Sequence, residues 1–501
     1  MIRPAPAATT GAQDMIELGL RSASDLAASV RAGDIGAREL LDHYLDRVNR
    51  LNPEINALVT FDLDRARASA AAADEAIAAG QLRGPLHGLP CTIKDAIATE
   101  GLLTTGGATE LADNVPSEDA AVVHHLREAG AIPFAKTNLP RWSADMQAYN
   151  DLFGTTNNPW DLARGPGGSS GGAAAAVASG MTTFDIGTDI GGSIRGPAHL
   201  SGICGHKPSF GVVSALGYID HTTAGLTEPD VNVLGPLART VDDLTLVFDV
   251  IAGPTADRAP GWRLELPPAR ATRLTDYRIA AWLDDPACPV STVVATALEG
   301  AVRAIEAEGV AVDRSARPAL DFDVVGRTGL PLISAATSPG RTDEEFETFR
   351  QMVLDPDGVD ETLLRRARAS VTFHRDWLLL TEERERIRRI WHDFFARFDI
   401  LLCPVLIVPA FEHIQEGNLY TRTLTVDGVE RPYADLISWT ALIGMAYLPS
   451  TVVPVGWTDG GLPVGMQIVG PFLGDRSTLT VARHIERLTG GYRIPPMAQL
   501  D

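Results

Sequence analysis

Three short stretches of this chain hold residues that could do chemistry. Lys94 sits in an otherwise apolar run, CTIKDAIA (91–98). Two serines lie in GGSSGG (167–172) and a third in GTDIGGSIRG (187–196). Taken singly, each also has a plain reading. A lone lysine on an edge strand faces water, and a glycine–serine run serves as a flexible linker. GGSSGG could cradle a phosphate with its backbone N–H groups, yet no Gly-Lys-Ser/Thr closes it as a Walker loop requires. Gly167-Gly168-Ser169-Ser170-Gly171 matches G-x-S-x-G in form. A nucleophile elbow follows directly on a strand, whereas Ala163-Arg164-Gly165-Pro166 precedes this one. GTDIGGSIRG alone also reads as a glycine turn. No H-x-x-x-H pattern offers metal ligands. His199 and His206 are near in sequence, but nothing in their placement indicates Ser-His-Asp geometry.

The flanking segments alternate between helical and strand patterns. Residues 22–51 are helical with a break at Gly33–Gly36, and Ser24 is the expected N-cap. Ala37, Leu40, Leu41, Tyr44, Leu45 and Val48 recur at helical spacing. Residues 63–80 and 118–130 read as helices, 91–98 and 131–138 as strands. Residues 153–215 are mostly turn chemistry, broken by a helix ending at Gly180. Ile, Phe, Trp and Cys are interleaved there, so a functional loop is expected rather than disorder. Further on, 240–252 and 475–489 read as helices, and 343–396 carries the longest helical pattern. Strands are expected at 399–405, 450–456 and 461–470. This alternation indicates an α/β fold with a central sheet.

Taken together, the motifs closely resemble the amidase signature family of serine hydrolases. The segments that carry the resemblance are FGTTNNPWD, PGGSSGG, GTDIGGSIRGPA and GHKPS within 153–210, GPLART (235–240) and GLPVGMQIVG (461–470). It extends over roughly residues 15–490. It implies a central mixed β-sheet covered by helices on both faces. Residues 1–14, rich in Ala, Thr and Pro, are expected to form a loose tail, and the resemblance implies one domain over 15–495. Within that domain, 153–215 is the signature core and 254–450 a variable part contributing to the substrate pocket. Carried over residue by residue, Ser193 would be the nucleophile, Ser169 the bridging serine after a cis peptide bond, and Lys94 the base. Ile190, Gly191, Gly192 and Ser193 would supply an oxyanion hole, because glycine has no Cβ to block approach. Ser170 would support the turn, and Thr188, Asp189 and Arg195 would pin the nucleophile loop. Such a relay needs a neutral lysine, and burial among Cys91, Ile93, Ala96 and Ile97 would lower its pKa from the free value of about 10.4. Asp95 is expected to point to the opposite face of the strand.

The resemblance places the pocket along 140–150, 215–230 and parts of 325–450. Trp142, Met146, Gln147, Tyr149 and Tyr218 are its expected lining, with Trp439 and Tyr447 offering further aromatic surface. Any one of these, taken alone, reads more readily as core packing. Together they favour a small neutral, partly apolar or aromatic amide, and no cationic cluster for an acidic substrate is evident. Carbamate (urethane) or aryl ester and anilide cleavage are alternatives on the same triad. A remote alternative is the subunit of a tRNA-dependent amidotransferase. Tyr447-Leu448-Pro449-Ser450 stands where many relatives carry Gly-x-Pro-Ala, which bears on the late pocket wall.

Composition bounds the rest. The chain has 501 residues, 43 Lys+Arg against 64 Asp+Glu, and a formal charge of −21. That acidity argues against nucleic-acid partners and against docking on an anionic membrane. Cys91, Cys204, Cys288 and Cys403 form no CxxC pair, so neither a disulfide framework nor a zinc site is expected. The N-terminus shows no apolar core of a signal peptide, and no run approaches the ~18 apolar residues of a membrane helix. The expectation is a cytoplasmic monomer or homodimer that acts on a small molecule without metal or cofactor.

Overall fold

Eleven strands form one mixed sheet in the computed structural model, which describes residues 18–221, 225–359, 361–417, 419 and 421–499. The expected tail over 1–14 lies outside the described residues. The first strands are β1 (Leu58–Phe61), β2 (Pro90–Lys94) and β3 (Ile132–Thr137). A short ribbon, β4 (Tyr149–Asn150) with β5 (Gly154–Thr155), stands apart from the sheet. Then come β6 (Asp185–Asp189), β7 (Cys204–Lys207), β8 (Val233–Ala238), β9 (Ile279–Ala281), β10 (Val312–Asp313) and β11 (Ile400–Pro404). A second ribbon pairs β12 (Thr423–Val426) with β13 (Val429–Pro432), before β14 (Ser450–Trp457) and β15 (Pro463–Val469). The order across the sheet is β1-β3-β2-β6-β8-β7-β14-β15-β11-β9-β10.

Alternation along the strands divides two cores. In β11, Ile400 and Leu402 enter one cluster, and Leu401 and Cys403 enter another. The first cluster is closed by helices Ala121–Glu128, Val241–Ile251, Thr292–Ala307 and Asp475–Thr489, through Val122, Leu244, Leu298 and Ile485. The second is closed by helices Gly171–Ala178, His374–Arg397 and Ser438–Gly444, through Val177, Trp391 and Leu442. The sheet is therefore covered on both faces, as expected. Among the described residues no helix is long and apolar enough to cross a membrane.

Several local expectations shift. The helix expected from residue 22 spans Ala23–Ala32 and is capped by Ser22, whose side chain accepts from Asp25 N–H; Ser24 instead bonds Asp243 through its N–H and hydroxyl. The helical pattern of 343–396 is three helices, Asp343–Leu354, Glu361–Ser370 and His374–Arg397. Pro356 and Gly358, the latter at φ +77°, lie in the first break. The strand at 91–98 stops at Lys94 and turns. β2 and β6 run parallel, with Thr92 opposite Asp185, so their C-terminal ends bring Lys94 and Asp189 to the same edge of the sheet.

Candidate active site

Lys94 ends β2 fully buried. Its Nζ donates to Ser169 Oγ at 2.6 Å and to Thr188 Oγ1 at 2.7 Å. Burial lowers its pKa to about 7, against the pull of the Asp185 and Asp189 carboxylates toward the charged form. Ser169 is fully buried, and the Gly168–Ser169 peptide is cis. Gly168 has no alternative there, because a Cβ would stand 2.4 Å from the Gln147 nitrogen. Ser170 ties the two serine loops together. Its N–H donates to Ser193 O at 3.2 Å, and its hydroxyl meets the Thr188 backbone O and N at 3.3 Å.

Ser193 lies at the floor of a cavity of about 350 Å³ and is 5% exposed. Its hydroxyl makes no hydrogen bond among the described residues, so the direct chain of bonds runs from Thr188 through Lys94 to Ser169 and stops there. The loop before it is held by Asp189. That carboxylate takes the N–H groups of Gly192 at 2.9 Å, Ile194 at 3.1 Å and Arg195 at 3.3 Å. Gly192 is thereby withdrawn from the four expected oxyanion donors. Among the described residues, the N–H groups of Ile190, Gly191 and Ser193 have no backbone partner. Gly192 adopts φ +122°, and a Cβ on it would stand 2.6 Å from Thr440 Oγ1. Thr440 also donates to Gly191 O at 2.6 Å.

Arg195 completes a buried ion pair with Asp189, through Nε at 2.9 Å and Nη2 at 2.8 Å, and extends to Thr440 O and Gln467 Oε1 through Nη1. Burial raises the Asp189 pKa, but Arg195 outweighs it and holds the carboxyl below its usual value. Asp189 and Arg195 thus brace the loop, whereas Thr188 contacts Lys94. Asp95 turns to Thr105, away from Lys94. Asp185 is fully buried beside the lysine strand. Its Oδ2 accepts from Thr92 and Thr137 hydroxyls at 2.6 and 3.0 Å, its Oδ1 has no hydrogen-bond partner among the described residues, and burial pushes its pKa up to about 7. His199 spends both ring nitrogens on backbone atoms of Gly465 and Val408, and His206 bonds Thr451 and Asp475. Among the described residues no group of three or more His, Cys, Asp or Glu could hold a metal ion.

The expected pocket residues separate into two sets. Trp142, Met146 and Tyr149 line the cavity. Gln147 does not. Its amide is fixed to Ile414 O at 2.6 Å and Tyr433 OH at 3.1 Å. Tyr218 is buried in a bridge to Ile97. Trp439 stacks edge-on with Trp282 and Phe322 in the core, and Tyr447 stacks on Phe210 and bonds Asp230. The late pocket wall comes from residues that no motif marked: Ile333, Ser334, Thr337 and Ile437. Arg141, Arg341, Arg366 and Arg422 also line the cavity, together with the carboxylates of Asp145, Asp220 and Glu345. One side chain of the brace had a signal in the sequence: Gln467 lies within GLPVGMQIVG.

A profile of the Amidase family matches residues 39–479. The chain is similar to a glutamyl-tRNA(Gln) amidotransferase component from Thiobacillus denitrificans, 33% identical over 505 residues, covering 95% of this chain and 99% of the relative. The corresponding component from Carboxydothermus hydrogenoformans is 30% identical over 500 residues, 96% of this chain and all of the relative. Among solved structures, a bacterial aryl acylamidase of the amidase signature family superposes with a TM-score of 0.79 at 26% identity, over 95% of this chain and 98% of its own. A 6-aminohexanoate cyclic dimer hydrolase superposes with a TM-score of 0.76 at 25% identity, over 96% of this chain and all of its own. The chain belongs to the amidase family, the amidase signature enzymes that hydrolyse carbon–nitrogen amide bonds.

Proposed function

We propose that this chain is a free-standing hydrolase of small amides, acting through an acyl-enzyme on Ser193. The observation that carries the proposal is the 2.6 Å bond from a fully buried Lys94 to Ser169, next to a serine that opens on the cavity. Ser193 Oγ attacks the amide carbonyl. Its proton passes to Ser169, whose own proton passes to neutral Lys94. The tetrahedral oxyanion takes the free N–H groups of Ile190, Gly191 and Ser193. On collapse, the leaving nitrogen takes the proton back by the reverse route and departs as the amine. Water then cleaves the acyl-enzyme with the same relay. Apolar cavity residues near Ser193 support an acyl group with apolar or aromatic character, and anilides, carbamates and aryl esters are within the same chemistry. Four buried cysteines without disulfides support a reducing compartment such as the cytoplasm. The test is Ser193→Ala on a panel of amides, anilides, carbamates and esters. Turnover should vanish with the circular-dichroism spectrum unchanged, and retention of a tenth of wild-type kcat would remove Ser193 from the reaction.

A second reading, the amide-cleaving component of a tRNA-dependent amidotransferase, is favoured by the identity of the curated relatives over almost the whole chain. Co-purification with partner proteins, and glutamine hydrolysis that depends on them, separates it from a free-standing enzyme.

A further inference from the structure

Asp145 and Arg422, both on the cavity wall, meet at 2.5 Å with side chains 9% and 2% exposed. The Asp145 carboxylate fills four acceptor positions. Its Oδ2 takes Arg422 Nη1 and the Tyr149 hydroxyl, the latter at 3.1 Å; its Oδ1 takes the Tyr433 hydroxyl at 2.9 Å and the Met146 N–H at 2.6 Å. Arg422 Nη2 donates to the Tyr149 hydroxyl at 2.6 Å and to Gln415 O at 2.8 Å, and Nε donates to Glu416 O at 3.0 Å. Arg422 stands immediately before β12 and Tyr433 immediately after β13, and the Tyr433 N–H bonds Arg422 O at 3.0 Å. Both feet of that ribbon therefore close on one carboxylate.

The stretch they hold lies against the two serine loops. Among the described residues, Asp145, Met146 and Gln147 make no backbone–backbone hydrogen bond, so side chains decide where this stretch sits. Gln147 adds to the hold by exchanging two bonds with the Ile414 backbone, at 2.6 and 2.9 Å. On one side the stretch abuts Gly168, next to Ser169: a Cβ there would stand 2.5 Å from Asp145 O and 2.6 Å from Met146 C. On the other side Met146 Cε would stand 3.4 Å from a Cβ on Gly196, in the helix Arg195–Ser201 that follows Ser193. The chain of bonds from Thr188 stops at Ser169, so its continuation to Ser193 depends on how the two loops are seated. A misplacement of about 1 Å costs on the order of 10²-fold in rate.

We propose that Asp145 and Arg422 are positioning residues, whose ion pair seats the 145–147 stretch and so sets the approach of Ser169 to Ser193. The proposal rests on the hydrolase reading, in which those two serines pass a proton. A buried charge left without its partner is costly and drives rearrangement, so loss of either member displaces the stretch and, through Gly168 and Gly196, the serines.

The test measures kcat and KM on 4-nitroacetanilide and, without any substrate, the rate at which diisopropyl fluorophosphate labels Ser193. Arg422→Met and Asp145→Asn should each lower kcat and the labelling rate at least tenfold, while KM moves less than threefold. Arg422→Lys keeps a charged bond to Asp145 and should retain at least a third of wild-type kcat. Arg431→Met breaks an ion pair of the same ribbon, to Asp435 at 2.7 Å, and should leave kcat within twofold. Circular dichroism checks folding at the assay temperature; if Arg422→Met does not fold, the near-isosteric Asp145→Asn decides. A folded variant of the pair with wild-type kcat and labelling, an effect confined to KM, equal losses in Arg431→Met, or Arg422→Lys no better than Arg422→Met would overturn the clamp. Wild-type enzyme that takes the label without cleaving the anilide leaves the labelling rates to decide. Wild-type enzyme that does neither would sink the hydrolase reading and the clamp with it, an outcome distinct from an active wild type with indifferent variants.

Discussion

Lowering the pH should switch this enzyme off through Lys94. Burial disfavours the ammonium and brings the pKa to about 7, although Asp185 and Asp189 favour it. The relay needs the neutral amine, so kcat/KM follows the neutral fraction: it rises with pH and levels off above about pH 8. For a single group, roughly half the enzyme is competent at pH 7, about a tenth at pH 6 and about a hundredth at pH 5. A solvated lysine would instead make the rate climb until beyond pH 10. The assay is kcat/KM on an anilide from pH 5 to 10, with circular dichroism at each pH to exclude unfolding. Asp185→Asn provides the internal control. Where Asp185 is ionised it favours the ammonium, and its own pKa of about 7 confines that pull to the upper part of the limb, so the limb should move to lower pH there and stay unchanged near pH 5. A profile flat from pH 5 to 8, or one rising steadily to pH 10, would refute the assignment of Lys94 as the base.

Three further outcomes follow from the same contacts. Lys94→Met should change stability with pH. The folded state holds the lysine pKa near 7 against an ordinary 10.5, so the unfolded chain binds more protons between those values and wild-type stability rises with pH across that window. The penalty is full below pH 7 at roughly 4–5 kcal/mol, and absent above 10.5. The variant's urea midpoint should therefore gain on wild type at pH 6 relative to pH 10; the opposite trend would mean a charged, stabilised lysine. Gly192→Ala should lower kcat about 10²-fold or more, and adding Thr440→Ala should not restore it, because the left-handed φ of +122° remains unfavourable to alanine. Arg195→Met leaves the buried Asp189 carboxylate unpaired and should cost roughly 3–5 kcal/mol by denaturant titration, with Asp189→Asn in the same chain recovering part of it.

The residues of the candidate site were marked where type and spacing are locally unusual, a lysine in an apolar strand and serines inside glycine runs; each alone also had a plain reading, and the family resemblance supplied the roles expected of Lys94, Ser169 and Ser193. The sheet and its flanking helices followed from periodicity, and the last helix matched residue for residue at Asp475–Thr489. Burial direction was harder. Tyr218, Gln147, Trp439 and Tyr447 share aromatic or polar character with true lining residues, and only tertiary packing turned them into the core. Gly192 illustrates the same limit at the level of one N–H: its flexibility suits an oxyanion donor, but Asp189 three residues earlier takes the bond. The outer wall of the cavity lacked any local signature. Ile333, Arg341 and Arg366 lie on or beside helices whose sequence reports amphipathicity, not which neighbour they face.

The most direct measurement is covalent labelling of the active enzyme with a fluorophosphonate, followed by peptide mass spectrometry. One adduct should form, on Ser193, with loss of activity in proportion to labelling. It should be slowed at pH 5, where Lys94 is charged, and absent in Ser193→Ala. An adduct on Ser169 or Ser170, or complete inactivation with Ser193 unmodified, would contradict the account.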